Sequence, residues 1–159
     1  MVIRIIAVGK LKEQYLRDAF SEYDKRLSAF CRFGVDEVEQ EKLPEEPSEK
    51  EIKRALETEP DKIIRRIPPG SIVIPLCIEG KQLSSDRFSG YIAEKSNNGA
   101  GTLVFVIGGS FGLSERVKSL ADIKLCMYEM NFPHRLARIM LAEQIYRAFT
   151  IINKRKYHK

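Results

Sequence analysis

The sequence predicts an α/β fold: a mainly parallel sheet with helices on both faces. Apolar runs alternate with stretches of helical periodicity, five of each along the chain, and strands that alternate with helices form parallel sheets. The run at 103–107, Leu-Val-Phe-Val-Ile, is apolar without interruption, as expected of a strand covered on both faces. It feeds directly into Gly108, Gly109 and Gly112, with Ser114 and Glu115 behind them as a helix start. Open α/β sheets collect their ligands at such strand-to-helix turns.

Taken in order, the N-terminal residues 1–8 read as the first strand and not as a leader, being too short and wrongly flanked for one. Tyr15, Leu16, Ala19, Phe20, Tyr23 and Leu27 keep helical spacing. Gly34 closes that region, and Val35 with Val38 marks a short second strand. The polar, proline-broken stretch 39–47 is a surface loop. Ser48 with Glu51 three residues on forms a capping box for a helix running to Ile67, and Pro68-Pro69-Gly70 stops it. The apolar run 71–78 is a third strand, 79–83 a turn, and Ser84-Ser85 caps a third helix to Ser96. After the central strand come a short helix from Ser114, a last strand at 123–126 and a loop at 127–132. Pro133 stands in the first turn of a long C-terminal helix. That helix carries two apolar stripes: Ala137, Leu141, Ile145, Ala148, Ile152, and Ile139, Ala142, Tyr146, Phe149. A helix apolar on two sides is expected to bury both, one on the sheet and the other on a second copy of the chain.

With 159 residues and 43% hydrophobic content, the chain has the size and composition of one ordinary globular domain. No apolar run reaches the ~20 residues of a membrane span. The three cysteines, Cys31, Cys77 and Cys126, are far apart and odd in number, as small buried residues of a reducing compartment are; no metal-ligand spacing is present. The net charge of +5 is concentrated at the C-terminus, where Arg135, Arg138, Arg147, Lys154, Arg155, Lys156 and Lys159 face one acidic residue, Glu143. A basic terminus on a balanced domain points to a polyanionic partner, against the alternative of a solvated tail.

The glycine turn lacks both phosphate-binding signatures. A dinucleotide loop reads G-x-G-x-x-G, and Ser110 stands where its second glycine falls; a P-loop closes on G-K-[ST], whereas Leu113 and Ser114 follow Gly112. These residues alone are compatible with a ligand cradle or with a tight connection that binds nothing.

Six further segments bear on that choice: Ala7-Val8-Gly9-Lys10-Leu11-Lys12, the 76–81 strand and turn, the 105–112 core, Phe132-Pro133-His134, the stretch 143–148, and the terminal Tyr157-His158-Lys159. Together they resemble the SPOUT class of α/β-knot methyltransferases, and within it the ribosomal RNA large subunit methyltransferase H family. The resemblance runs through the whole chain, in order and at the same length. It implies a single SPOUT domain over 1–159 ending in a trefoil knot, which pattern reading does not supply, because chains rarely thread their own loops. It implies transfer of a methyl group from S-adenosylmethionine to N3 of a pseudouridine in 23S rRNA, by a cytoplasmic homodimer joined through its C-terminal helix. The implied cofactor-binding residues are Leu76; Gly108, Gly109 and Gly112; and Met127, Tyr128, Glu129, Met130, Asn131 and Phe132. A reading without catalysis would make the chain an RNA-binding module that docks on the ribosome through its basic end.

Methyl transfer from a sulfonium needs no metal; it needs nucleophile and methyl carbon held in line. A uracil-type N3 must also lose its proton, so a base is useful. The chain has two histidines, His134 and His158. The candidate catalytic set is His158 as proton acceptor, Arg147 holding a phosphate or the uracil edge, and Tyr157 stacking on a base. Against these stand a packing role for His134 at a helix start and an Arg147–Glu143 ion pair.

Overall fold

The structure, a computed structural model, describes residues 1–128, 130 and 132–157. Strands and helices alternate as β1 (Val2–Val8), α1 (Gln14–Leu27), β2 (Arg32–Val38), α2 (Glu49–Ile64), β3 (Ile72–Gln82), α3 (Ser85–Asn97), β4 (Thr102–Ile107), α4 (Glu115–Lys118), β5 (Leu125–Cys126) and α5 (His134–Ile152). The strands form one parallel sheet in the order β2-β1-β4-β3-β5, so the expected α/β architecture holds.

Side-chain alternation along the two central strands explains why helices cover both faces. Ile5 lies opposite Phe105 and Ala7 opposite Ile107 in the β1–β4 register. Ile3, Ile5, Ala7, Leu103, Phe105 and Ile107 point to one face, where Leu27 of α1, Phe88 and Ile92 of α3, and Leu141, Ile145 and Phe149 of α5 pack. Ile6, Val8, Val104 and Val106 point to the other, against Ile63 of α2 and Val117 of α4. Val104, Phe105 and Val106 are 0% exposed, the burial an unbroken apolar run requires. The capping box is formed: the Glu51 N–H donates to Ser48 Oγ at 3.3 Å and the Ser48 N–H to Glu51 Oε2 at 2.8 Å. Ser84 and Ser114 cap α3 and α4 with half of this arrangement, their Oγ atoms accepting from the Arg87 and Val117 N–H groups.

Three expectations are corrected. The second strand begins at Arg32, with Gly34 inside it, because it pairs with β1 along its full length. The predicted turn at 79–83 is strand through Gln82: the Lys81 N–H donates to the Lys124 carbonyl at 2.8 Å, and Gln82 is in register with Cys126. Gly80 makes this possible, since a Cβ there would lie 2.6 Å from the Leu125 carbonyl carbon. Finally, both apolar stripes of α5 are covered within the chain except at Ile152, which is exposed, and Tyr146, which is half-buried. Ala137, Leu141, Ile145 and Ala148 are buried, and so are Ile139, Ala142 and Phe149. The second stripe meets Leu16 of α1 and the preceding Leu11 through Ile139, and Phe149 stacks on the ring of Phe30 beyond the end of α1. The stripes therefore do not by themselves call for a second chain.

Cys31, Cys77 and Cys126 are free thiols. Burial pushes Cys31 and Cys77 up to about 11, so both stay protonated and inert. Among the described residues no cluster of metal-ligating side chains occurs, and no helix is long and apolar enough to cross a membrane.

Candidate active site

The middle of β3, just past its pairing with β4, the C-terminal ends of β4 and β5, and the first turn of α5 enclose a cleft of about 150 Å³. Leu76, Gly108, Gly109, Gly112, Met127, Tyr128, Met130 and Phe132 all line it, so the structure brings together every expected cofactor residue that it describes. Glu129 and Asn131 lie outside the described residues. Ile107 forms part of the wall, and Cys77, Ile78 and His134, which the sequence reading did not place here, complete it. Ile78 is 81% exposed and Met130 72%, two large apolar side chains left open at one cleft.

The glycines of the loop have reasons internal to the loop. A Cβ on Gly108 would run into the Gly112 carbonyl, and Gly112 itself has φ +78°. The Gly112 N–H donates to the Gly109 carbonyl at 3.1 Å, and a Cβ on Gly109 would crowd Val8 Cγ1 at 3.2 Å. The turn thus curls on itself, and side chains such as Leu76 and Met130 supply much of the surface a ligand meets.

Beside the cleft runs a groove of about 530 Å³ between α3 and α5, and the two share Leu125, Cys126, Met127 and Tyr128 as a wall. Burial pushes the Tyr128 hydroxyl up to about 12, and its ring meets that of Phe132 edge-on at 4.5 Å. On the α5 side of the groove, Glu143 gathers the described members of the candidate catalytic set. Arg147 donates to Glu143 Oε1 through Nε at 3.0 Å and Nη2 at 2.7 Å, and the Tyr157 hydroxyl donates to the same oxygen at 2.6 Å. The Arg147 guanidinium lies 4.3 Å from the Tyr157 ring centroid. Burial first, and then the Glu143 hydrogen bond, push Tyr157 up to about 12, so it is a proton donor and not a base at neutral pH. The Glu143 bond raises the Arg147 pKa further. His158, the candidate proton acceptor, lies outside the described residues. Sequence spacing revealed the Arg147–Glu143 pair, which sits at i,i+4, but not the hub; Gln144 extends it by donating to Glu143 Oε2 at 2.6 Å and accepting from Ser85 Oγ at 2.8 Å.

The floor beneath His134 is a second polar cluster that sequence reasoning missed. Arg138 is 1% exposed, and it donates to Glu37 Oε1 at 2.6 Å and to the Gly9 carbonyl at 2.8 Å. Glu37 Oε1 also accepts from the Leu11 N–H at 3.2 Å. These bonds tie the start of α5 to the ends of β1 and β2. Arg135 is paired as well, donating to Glu13 Oε1 at 2.5 Å. Three of the basic residues credited to a polyanion surface are therefore engaged with carboxylates of this chain. The His134 Nε2 atom is buried and unpartnered among the described residues, and desolvation, then Arg135 and Arg138, lower its pKa.

Comparison with known proteins places this geometry. The family model described as a predicted SPOUT methyltransferase matches residues 1–158. Proteins named ribosomal RNA large subunit methyltransferase H from Carboxydothermus hydrogenoformans and Clostridium acetobutylicum are 48% and 47% identical over 159 residues, covering all of both chains. A crystal structure titled as a probable methyltransferase from Bordetella pertussis shares the fold, with TM-score 0.54 and 14% identity over 92% of this chain and 95% of that one. The full-length match and the near-half identity lead to one conclusion: this chain belongs to the SPOUT methyltransferase family.

Proposed function

We propose that this chain transfers a methyl group from S-adenosylmethionine to N3 of a pseudouridine in 23S rRNA of the large ribosomal subunit. The observation that carries the reading is convergence: Leu76, the 108–112 loop and the loop after β5, far apart in sequence, line one cleft at the C-terminal edge of a parallel sheet. The acceptor class follows the names of the relatives. The whole chain acts as one domain in this reading.

The cleft suits the cofactor. Leu76, Ile107 and Met130 offer apolar faces for a planar adenine, and the glycine turn offers backbone N–H and C=O groups to its edges. S-adenosylmethionine has no phosphate, so the missing P-loop is no obstacle. Cleft and adjoining groove together reach the range of roughly 300–1,000 Å³ usual for small-molecule sites. When bound, the cofactor supplies an electrophilic methyl group. The protein's own part is positioning: the 125–128 wall separates cofactor cleft from groove, Arg147 and Tyr157, both bonded to the groove-lining Glu143, orient the nucleotide, and His158 takes the N3 proton.

Two further features belong to the reading. The chain leaves β4, passes β3 and adds β5 beyond it, an order that supports a C-terminal trefoil knot. The groove beside α5, lined by Leu83, Met127, Met140 and Tyr23, supports a homodimer through that helix. The test is methyl transfer from labelled S-adenosylmethionine to naked 23S rRNA, isolated large subunits and assembled ribosomes, with calorimetry of cofactor binding alongside. Label at a pseudouridine N3 in one of these acceptors is expected. No binding heat for the cofactor and no transfer to any acceptor would leave an RNA-docking module instead.

A further inference from the structure

At the opposite end of α5 from the cofactor cleft lies a hollow of about 440 Å³. Arg26, Ala29, Phe30, Tyr146, Thr150, Arg155 and Lys156 line it. Its chemistry is uniform. Every lining side chain is basic, aromatic or small, and no carboxylate is among the described residues that line it. The Arg155 guanidinium lies 5.1 Å from the Phe30 ring centroid, and that of Arg26 lies 5.7 Å from Tyr146. Phe30 meets Tyr146 edge-on at 6.0 Å, and Tyr146 lies 5.8 Å from Tyr157. Glu22, the nearby acid, is engaged by Arg26 Nε at 2.8 Å. Arg155 and Lys156 are exposed.

Rings interleaved with guanidinium planes, and ammonium groups beside them, are what an unpaired nucleotide needs. The base stacks on a ring or a guanidinium, and the phosphates meet the cations. Duplex RNA offers no free base faces to such a surface, and an apolar protein segment would strand the cations. From Ala137 at the cleft to Thr150 at the hollow is thirteen residues of helix, hence about 20 Å. A strand held in the hollow therefore contacts the enzyme several nucleotides from the modified base.

We infer that this hollow anchors a single-stranded segment of the RNA substrate by stacking and phosphate contacts, about 20 Å along α5 from the cofactor cleft. The inference rests on the proposed rRNA substrate, but its test is separable. A fluorescein-labelled uridine-rich 12-mer is titrated into wild type, an Arg26→Ser/Arg155→Ser double variant, and Phe30→Leu, which keeps apolar bulk but removes the ring. Both variants should bind the 12-mer about ten-fold more weakly. Lower salt should rescue the double variant in part and Phe30→Leu hardly at all, because only the first loses phosphate contacts. In rRNA methylation the double variant should show a raised KM with kcat and S-adenosylmethionine affinity unchanged. A folded double variant that binds the 12-mer like wild type overturns the inference. So does one that turns monomeric with RNA affinity intact, since the face would then be a contact between chains. If wild type binds the 12-mer through the hollow yet methylates no rRNA, the proposed function fails and the anchor stands.

Discussion

Arg138 carries a positive charge into the interior, where, among the described residues, Glu37 and the Gly9 carbonyl receive it. Its partner is a third exposed, so the two ends of the pair are not equivalent: losing the carboxylate strands a buried cation, while losing the arginine leaves a carboxylate that water can reach. Glu37→Gln should destabilise the protein by about 3 kcal/mol, read as a lower urea midpoint at unchanged slope. An unchanged midpoint would show that the pair contributes little. His134 answers to pH in the opposite sense to a salt-bridged histidine. Burial and the neighbouring Arg135 and Arg138 disfavour its charged form, so the folded protein binds that proton less readily than the unfolded chain. Its contribution is complete above the unfolded value near 6.5 and is lost as pH falls below it. Melting temperature should therefore drop between about pH 7 and pH 5, and His134→Asn should flatten part of that drop. Gly108 lines the cleft and also has a duty within its own loop. Its missing Cβ makes room for the Gly112 carbonyl, so Gly108→Val disturbs the loop itself, and Met130→Ala is the cleaner probe of cofactor affinity.

Elements whose signals are local were legible in the sequence; elements defined by a distant partner were not. The Ser48–Glu51 box and the Ser84 and Ser114 caps lie within three residues of the groups they satisfy, and these three helices begin where the pattern puts them, whereas Pro133 caps α5 from outside its first turn. The end of β3 is the opposite example. Nothing in Glu79-Gly80-Lys81-Gln82 signals a strand, because the extension depends on Lys124, Leu125 and Cys126 some forty residues later. Likewise α5 was read as apolar on two sides, but not that α1 and α3 would cover both. For the same reason Gly80 has a consequence for the site. The β5 residues it abuts are the wall between cleft and groove. Gly80→Ala should force β5 away from β3, costing about 1–3 kcal/mol, and should weaken S-adenosylmethionine binding more than ten-fold. Calorimetry on the folded variant checks this; wild-type affinity would mean the wall adjusts without loss.

At the scale of the molecule, the convergence of the three expected segments on one cleft was legible because a parallel sheet places loops at one edge, whereas the use of the C-terminal charges was not. Seven basic residues look like one patch in sequence, yet the fold takes Arg135, Arg138 and Arg147 for ion pairs and turns Arg155 and Lys156 outward. The same folding of α5 against α1 and α3 changes the argument for a dimer. Besides the exposed Leu136, Ile151 and Ile152, what α5 leaves open is the groove, with Met140 half-buried between Tyr23, Leu83 and Met127. A second copy that seats on the groove would remove this apolar surface from water and close the space where Glu143 holds Arg147 and Tyr157. Met140→Lys tests the point without entering the chain's own core, because the lysine can reach solvent in a monomer and is stranded in a dimer. Wild type should sediment as a dimer at micromolar concentration and Met140→Lys as a monomer with an unchanged circular dichroism spectrum. The variant's cofactor binding should fall less than its methyl transfer, since the cleft is formed within one chain and the groove is completed by the second. A wild-type protein that sediments as a monomer would remove the second chain from the mechanism and leave the groove for RNA alone.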